Sequence, residues 1–261
     1  MKTVNVLEPY RDDDGNEIVY DGPALSVPIN IRFSGKNNRL HIAEGADVRW
    51  LSLDFAGDGG QVRILRTSRP RAGLRLSLRV GYSSSVQIGE DVGTTNRLFI
   101  SAVEGASVHI GDDCMIATGI EIRTDDAHPV YAVQTGKRVN PTKSIVIGDH
   151  VWLAKDAVIM GGVTIGSGSV IGFRSIVTRS VPNNCIAAGA PAKVVRRHIA
   201  WERPTLRTRR PGQDVPRQNE KNEEFWRMTE EAVPDVVSAG RPLRRRLARW
   251  VPPFAHREGG N

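Results

Sequence analysis

Six residues separate Ile147, Leu153, Ile159, Ile165, Ile171 and Val177 in turn, and this period restricts the fold more than any other feature of the chain. Four positions after each of them stands a small or β-branched residue: Val151, Ala157, Val163, Ser169, Ser175 and Val181. An amphipathic helix repeats its apolar residues at intervals of three and four, with a polar far face. Here Gly, Ser and Thr lie between the aliphatics, a pattern suited to short strands and tight turns. A fixed short period marks a solenoid. The fold read from it is a parallel β-helix, with each aliphatic stacked on its counterpart one coil away, about 4.8 Å along the axis. The small residues fill the corners.

The period extends unevenly through the 261 residues. A weak version begins at Leu40, in residues 42–47 and 48–53, and apolar and polar residues then alternate through residues 61–65 and 74–80. The repeat resumes at Ile88 and continues in six-residue units from Ile110, Ile116 and Ile122. It breaks at residues 127–144, where two prolines and a glycine mark a loop leaving the coil. Interruptions of a solenoid gather on one face and often carry binding groups. Residues 187–197 suit an end cap. From His198 the aliphatics thin out and Pro, Arg and Glu dominate. The expected organisation is an N-terminal segment (1–39), a β-helix domain (40–198) and a basic, partly helical C-terminal extension (199–261). An acidic turn is expected at residues 11–16, before a strand at Glu17–Tyr20.

Two features of the extension stand out. Residues 222–231 suit a short helix. Residues 240–252 set Arg241, Arg244, Arg245, Arg246 and Arg249 around Leu243, Leu247 and Trp250, a pattern that can lie on an anionic membrane surface. Solvation, or docking on the body, is the ordinary role of such a charge run and is favoured over membrane contact.

Composition narrows the function. A hydrophobic content of 39% with 6% aromatics fits a core of Ile, Val, Leu and Ala, and 26 glycines fit repeated turns. No run reaches the roughly 18 apolar residues of a membrane span. The opening residues lack the apolar stretch of a signal peptide, so the expected location is the cytoplasm. Cys114 and Cys185 form neither a disulfide framework nor a zinc pattern, and Cys114 falls on an inward corner position. The net charge of +7 permits an anionic partner without selecting one. Arg66, Arg69, Arg71, Arg75 and Arg79 make a local basic cluster; a solvated face is favoured there over a site for an anionic polymer.

The candidate catalyst is His128, at the start of the break and held by Pro129. An imidazole is suited to taking a proton from a hydroxyl. Asp126 is placed to orient the ring and stabilise its charged form. The runs Asp126-Ala-His-Pro-Val-Tyr, Thr135-Gly-Lys-Arg-Val-Asn-Pro and Ile147-Gly-Asp-His-Val-Trp-Leu-Ala resemble the catalytic loop and returning coil of the hexapeptide-repeat acyltransferases. The resemblance covers roughly residues 86–200. It is closest to the branch that O-acetylates sugars and surface polysaccharides.

That resemblance implies a left-handed β-helix with three hexapeptides per coil. It also implies acetyl-CoA as acyl donor and His128 as general base. Trp152 would stand beside thioester and acceptor, projecting outward because it is too large for a corner. Ala154, Lys155 and Phe173 would line the pantetheine groove, although Phe173 is bulkier than the small residue expected. Thr178, Arg179, Lys193 and Arg196 would meet adenine and phosphates. The oxyanion would be held by a backbone N–H near Ala154 or by the Trp152 indole. A homotrimer with sites shared between subunits is the expected assembly.

Other readings compete with this one. N-acetylation of an amino sugar, or acetylation of a small molecule, suits the same fold. A metal enzyme on a β-helix needs several histidines at close spacing; the six here are scattered singly, so no metal is expected. A non-enzymatic basic binding module is the remaining alternative, but no nucleic-acid motif accompanies the charge, and no nucleic-acid partner is expected.

Overall fold

In the computed structural model, residues 1–25, 27–69, 73–206, 210, 212 and 221–230 are described. The basic run at residues 240–252 and Arg71 lie outside them. The chain winds into a parallel β-helix with three sheets as its faces. Sheet A stacks Ile29–Phe33, Val48–Phe55, Leu74–Val80, Leu98–Ala102, Glu121–Arg123, Val158–Met160 and Ile176–Val177, with Lys2–Val4 antiparallel at one edge. Sheet B stacks Glu17–Tyr20, Arg39–Ile42, Gln61–Ile64, Ser85–Ile88, Ser107–Ile110, Ile145–Ile147 and Thr164–Ile165, with Tyr10–Arg11 antiparallel beside the first. Sheet C begins only at Gly93–Thr94 and adds Met115–Ile116, Trp152–Leu153, Val170–Ile171 and the closing hairpin Ile186–Gly189 and Ala192–Arg196. From Gly93 on, the chain visits B, C and A in turn.

The register shows two coil lengths. Leu78 pairs with Ile100 and Ile100 with Ile122, a spacing of 22 residues. After the excursion, Ile147 pairs with Ile165 and Ile159 with Val177, a spacing of 18. Three hexapeptides per coil therefore hold for the second half and not the first. The β-helix also reaches back past Leu40: Ile18 pairs in parallel with Leu40, and Ile31 with Leu53. Residues 17–39 belong to the solenoid, and the six-residue template missed them because 22 is not a multiple of six.

The inward positions form one continuous core. Ile147, Leu153, Ile159, Ile165, Ile171 and Val177 are all fully buried, as are the corner residues Ala157, Ser169 and Ser175. Each such aliphatic contributes about 1.5–3 kcal/mol through removal from water. In the broad coils the space is larger: Tyr10, Phe33 and Phe55 stack with ring centroids 5.7 and 5.2 Å apart. Asp12 fixes the first turn by accepting from the Asp14 and Asn16 amides, each at 3.0 Å. Burial would raise its pKa, but hydrogen bonds from Asn16, Tyr10 and Lys2 outweigh burial and hold it at about 2.

The C-terminal extension docks on the body. The His150 ring stacks between Trp201 and Phe225, at 4.0 and 4.5 Å. Its Nδ1 lies 2.7 Å from Asp113 Oδ2, and Arg203 Nε donates to Asp113 Oδ1 at 2.8 Å. The helical expectation for residues 222–231 resolves to one 3-10 turn, Glu223–Phe225.

Candidate active site

The excursion leaves the prism at the corner between sheets A and B. Its root is built from short-range hydrogen bonds. Asp125 Oδ2 accepts from Ser101 Oγ at 2.6 Å, and Asp125 Oδ1 accepts from the Ala127 amide at 2.8 Å. That turn places Ala127 at a φ of 67°, a left-handed conformation rare for a residue with a side chain. Asn140 then clamps the loop. Its side-chain nitrogen donates to Asp126 Oδ2 at 3.0 Å and to the His128 carbonyl at 2.9 Å. Its Oδ1 accepts from the Val130 amide at 2.7 Å. Arg138 anchors the return, donating to Glu104 at 2.6 Å and to the Asn140 carbonyl at 3.1 Å. The Arg138 guanidinium holds the Glu104 carboxyl below its usual range.

His128 is thus fixed through its backbone on a loop braced at both ends, and its side chain is exposed. Asp126 meets Asn140; among the described residues it makes no hydrogen bond to the His128 ring. Asp125, Arg138 and Asn140 are site residues that the sequence reading passed over. Asn140 sits in the run Thr135-Gly-Lys-Arg-Val-Asn-Pro, so its position was in view, but its role depends on the loop folding back across 12 residues.

The remaining candidates sit on other parts of the prism. Trp152 points outward from sheet C, half-buried, between Met115 and Val170 on the adjoining coils. It tilts against Trp201 at 6.0 Å. Ala154, Lys155 and Phe173 stack at the corner between sheets C and A. Phe173 is 69% exposed, an aromatic face open to a ligand or a neighbouring chain. Ala154 is buried, and its N–H donates to the Ile171 carbonyl at 2.9 Å. The rung occupies that donor, which leaves the Trp152 indole as the oxyanion donor. The Lys155 carbonyl accepts from the Arg174 amide at 3.0 Å. Thr178 and Arg179 are exposed at the A/B corner, the edge that also carries His128. Lys193 and Arg196 are exposed on the closing hairpin beside sheet C. Within one chain, His128 therefore stands at a different edge from Trp152 and the Ala154–Phe173 corner. Among the described residues no cluster of His, Cys, Asp and Glu could hold a metal ion.

The comparisons with known proteins match this architecture. Residues 144–179 fit the family model of the bacterial transferase hexapeptide, six repeats. The chain is 32% identical over 190 residues to the polysialic acid O-acetyltransferase of Neisseria meningitidis, covering 72% of this chain and 86% of that protein. It belongs to the hexapeptide-repeat acetyltransferases. Among solved structures, the polySia-specific acetyltransferase NeuO superposes with a TM-score of 0.62 at 37% identity, over 69% of this chain and 81% of that one. A polysialic acid O-acetyltransferase of Escherichia coli O1:K1 is 38% identical over 105 residues, 40% of this chain; the chain spans 34% of that relative's length.

Proposed function

We propose that the chain transfers the acetyl group of acetyl-CoA to a hydroxyl of a surface polysaccharide, with His128 as general base. The observation that carries this is the braced excursion: Asn140 and Asp125 fix the backbone around His128 while its imidazole stays open to an incoming group. The acceptor hydroxyl gives its proton to His128 as its oxygen attacks the thioester carbonyl. The new C–O bond forms, the C–S bond breaks, and the proton passes to the departing CoA thiolate. The Trp152 indole N–H stabilises the oxyanion. Asp126 acts through Asn140, as a positioning residue for the loop. Lys155, Phe173, Thr178, Arg179, Lys193 and Arg196 would receive the donor, their exposed cations suiting phosphates. Use of acetyl-CoA suits a cytoplasmic reaction.

The separation of His128 from the Trp152 face supports a site completed by a second copy, as in a homotrimer. The test is His128→Ala, assayed by thiol release from acetyl-CoA with polysialic acid as acceptor. Loss of roughly 10²–10⁴-fold in turnover with retained acetyl-CoA binding is expected; unchanged turnover overturns the assignment. Mixing and reassembling His128→Ala with Trp152→Ala chains tests the sharing. Partial recovery of activity is expected if one chain supplies the base and its neighbour the indole, and no recovery if each site lies within one chain.

A further inference from the structure

The outer face of sheet A carries an unusual set of side chains. Three columns follow from the strand register. Arg32, Asp54, Arg79, Ser101 and Arg123 form the first. Asn30, Ser52, Ser77, Phe99 and Glu121 form the second. Trp50 and Arg75, with Arg97 beside the start of Leu98–Ala102, form the third. Five arginines therefore face two carboxylates. Arg32 pairs with Asp54 at 3.2 Å and Arg123 with Glu121 at 2.9 Å. Among the described residues Arg75, Arg79 and Arg97 meet no carboxylate. Arg66 and Arg69, neighbours of Arg75 in sequence, lie off this face and pair with Glu90 and with Asp91 and Asp113.

Two flat rings lie among these cations. Arg97 sits 4.6 Å over the Trp50 ring and Arg123 4.8 Å over Phe99. Arginine stacking holds an aromatic face flat while keeping the guanidinium free to bond outward. Aromatic faces beside guanidinium forks match a polymer that alternates apolar ring faces with carboxylates. In the first column the cations recur every second coil, roughly 9.5 Å apart at the spacing of stacked strands. That interval is comparable with a disaccharide. The column also leads to the site: Ser101 is buried because Asp125, at the root of the excursion, bonds across it at 2.6 Å. Arg123 lies five residues before His128.

We propose that the outer face of sheet A, from Arg32 to Arg123, is a track on which an anionic polysaccharide lies while its hydroxyls are presented to the His128 loop. The proposal rests on the O-acetyltransferase reading for the identity of the site at its end. It makes the broad coils the acceptor-binding half of the molecule.

The test compares the full chain with an Arg75→Ala/Arg79→Ala double variant and an Arg75→Lys/Arg79→Lys variant. Binding is measured to long polysialic acid, a short sialic acid oligomer, polygalacturonate, dextran and duplex DNA at two salt concentrations. The expected result is salt-sensitive binding of the long carboxylated polymers by the wild type and not of dextran. The alanine variant should weaken it about 10-fold, with substantial recovery in the lysine variant and unchanged acetyl-CoA affinity. The short oligomer should be affected far less. Equal polymer binding by wild type and alanine variant, or no wild-type binding to either carboxylated polymer, overturns the track. So does a preference for DNA over both. Wild-type polymer binding without thiol release from acetyl-CoA would leave the track standing and sink the acetyl-transfer reading.

Discussion

The 22-residue coils before Thr124 and the 18-residue coils after Ile145 close the same prism around different contents. In the broad coils the strands of sheet A run from five to eight residues up to Leu98–Ala102, whereas Val158–Met160 has three and Ile176–Val177 two. The longer strands enclose a wider interior. The inward column Phe33, Phe55, Val80 and Ala102 shows it tapering toward the junction. No such ring fits the narrow coils, where the buried corners are Ala157, Ser169 and Ser175. The corners differ as well. In the broad coils the Asn38 amide and side-chain nitrogen donate to Asn16 Oδ1 at 3.1 and 3.0 Å, while Asn38 Oδ1 accepts from Gly60 at 2.8 Å. In the narrow coils a short hydroxyl suffices, Ser169 Oγ donating to the Pro182 carbonyl at 2.8 Å. Breadth gives sheet A a wide outer face for a polymer; narrowness gives tight corners around the donor candidates.

This contrast can be broken at its centre. Phe55→Ala removes a fully buried ring stacked on Phe33, a cavity the narrow half has no counterpart for. A loss of about 3–5 kcal/mol is expected in chemical denaturation, with hydrogen exchange rising first in the broad coils. Equal loss of protection in the narrow coils would show that the two halves unfold as one unit. Asn38→Ala should cost less, about 2–3 kcal/mol, because it strands the buried Asn16 acceptor and the Gly60 donor. Asn38→Ser, too short to bridge both, should recover part of that loss. Full stability of Asn38→Ala would remove the ladder from the account of how broad corners close.

The narrow half was legible because its coil is three hexads, so the sequence period and the structural period coincide. The broad half was harder. Ile18, Leu40 and Val62 are spaced by 22 residues, but Val62 pairs with Val86, a step of 24, and the rhythm slips. Leu98–Ala102 escaped the six-residue template, and its inward-outward alternation is blurred by Ser101, an outward residue buried by Asp125. Gln61–Ile64 and Leu74–Val80 were readable as alternating strands, and Glu17–Tyr20 as the strand after an acidic turn. His128 was readable as the first group past the break in the repeat. The clamp by Asn140 was not, since it arises from a loop folding on itself and leaves no periodic trace. The occupation of the Ala154 amide follows from coil stacking and was equally invisible in a list of turn residues.

The junction between the two halves offers the smallest and most specific test. Asp113 belongs to the last broad coil and His150 to the first narrow one, and Arg203 of the C-terminal extension joins them across the change in breadth. Burial raises the Asp113 pKa, but the His150 hydrogen bond and the charges of Arg203 and Arg69 lower it further, to a net value below 3.8. A carboxyl whose pKa is depressed in the folded state stabilises that state above its unfolded pKa. The contribution is present above about pH 4 and is lost as pH falls below it, through the folded pKa. Acid should therefore loosen the extension from the junction before the aliphatic columns give way, read as a change in Trp201 fluorescence with strand circular dichroism intact. Asp113→Asn should weaken the contact by about 1–2 kcal/mol at neutral pH and flatten that acid step. A Trp201 signal that follows global unfolding at every pH would mean that the extension is an integral wall of the narrow half, and the junction no seam at all.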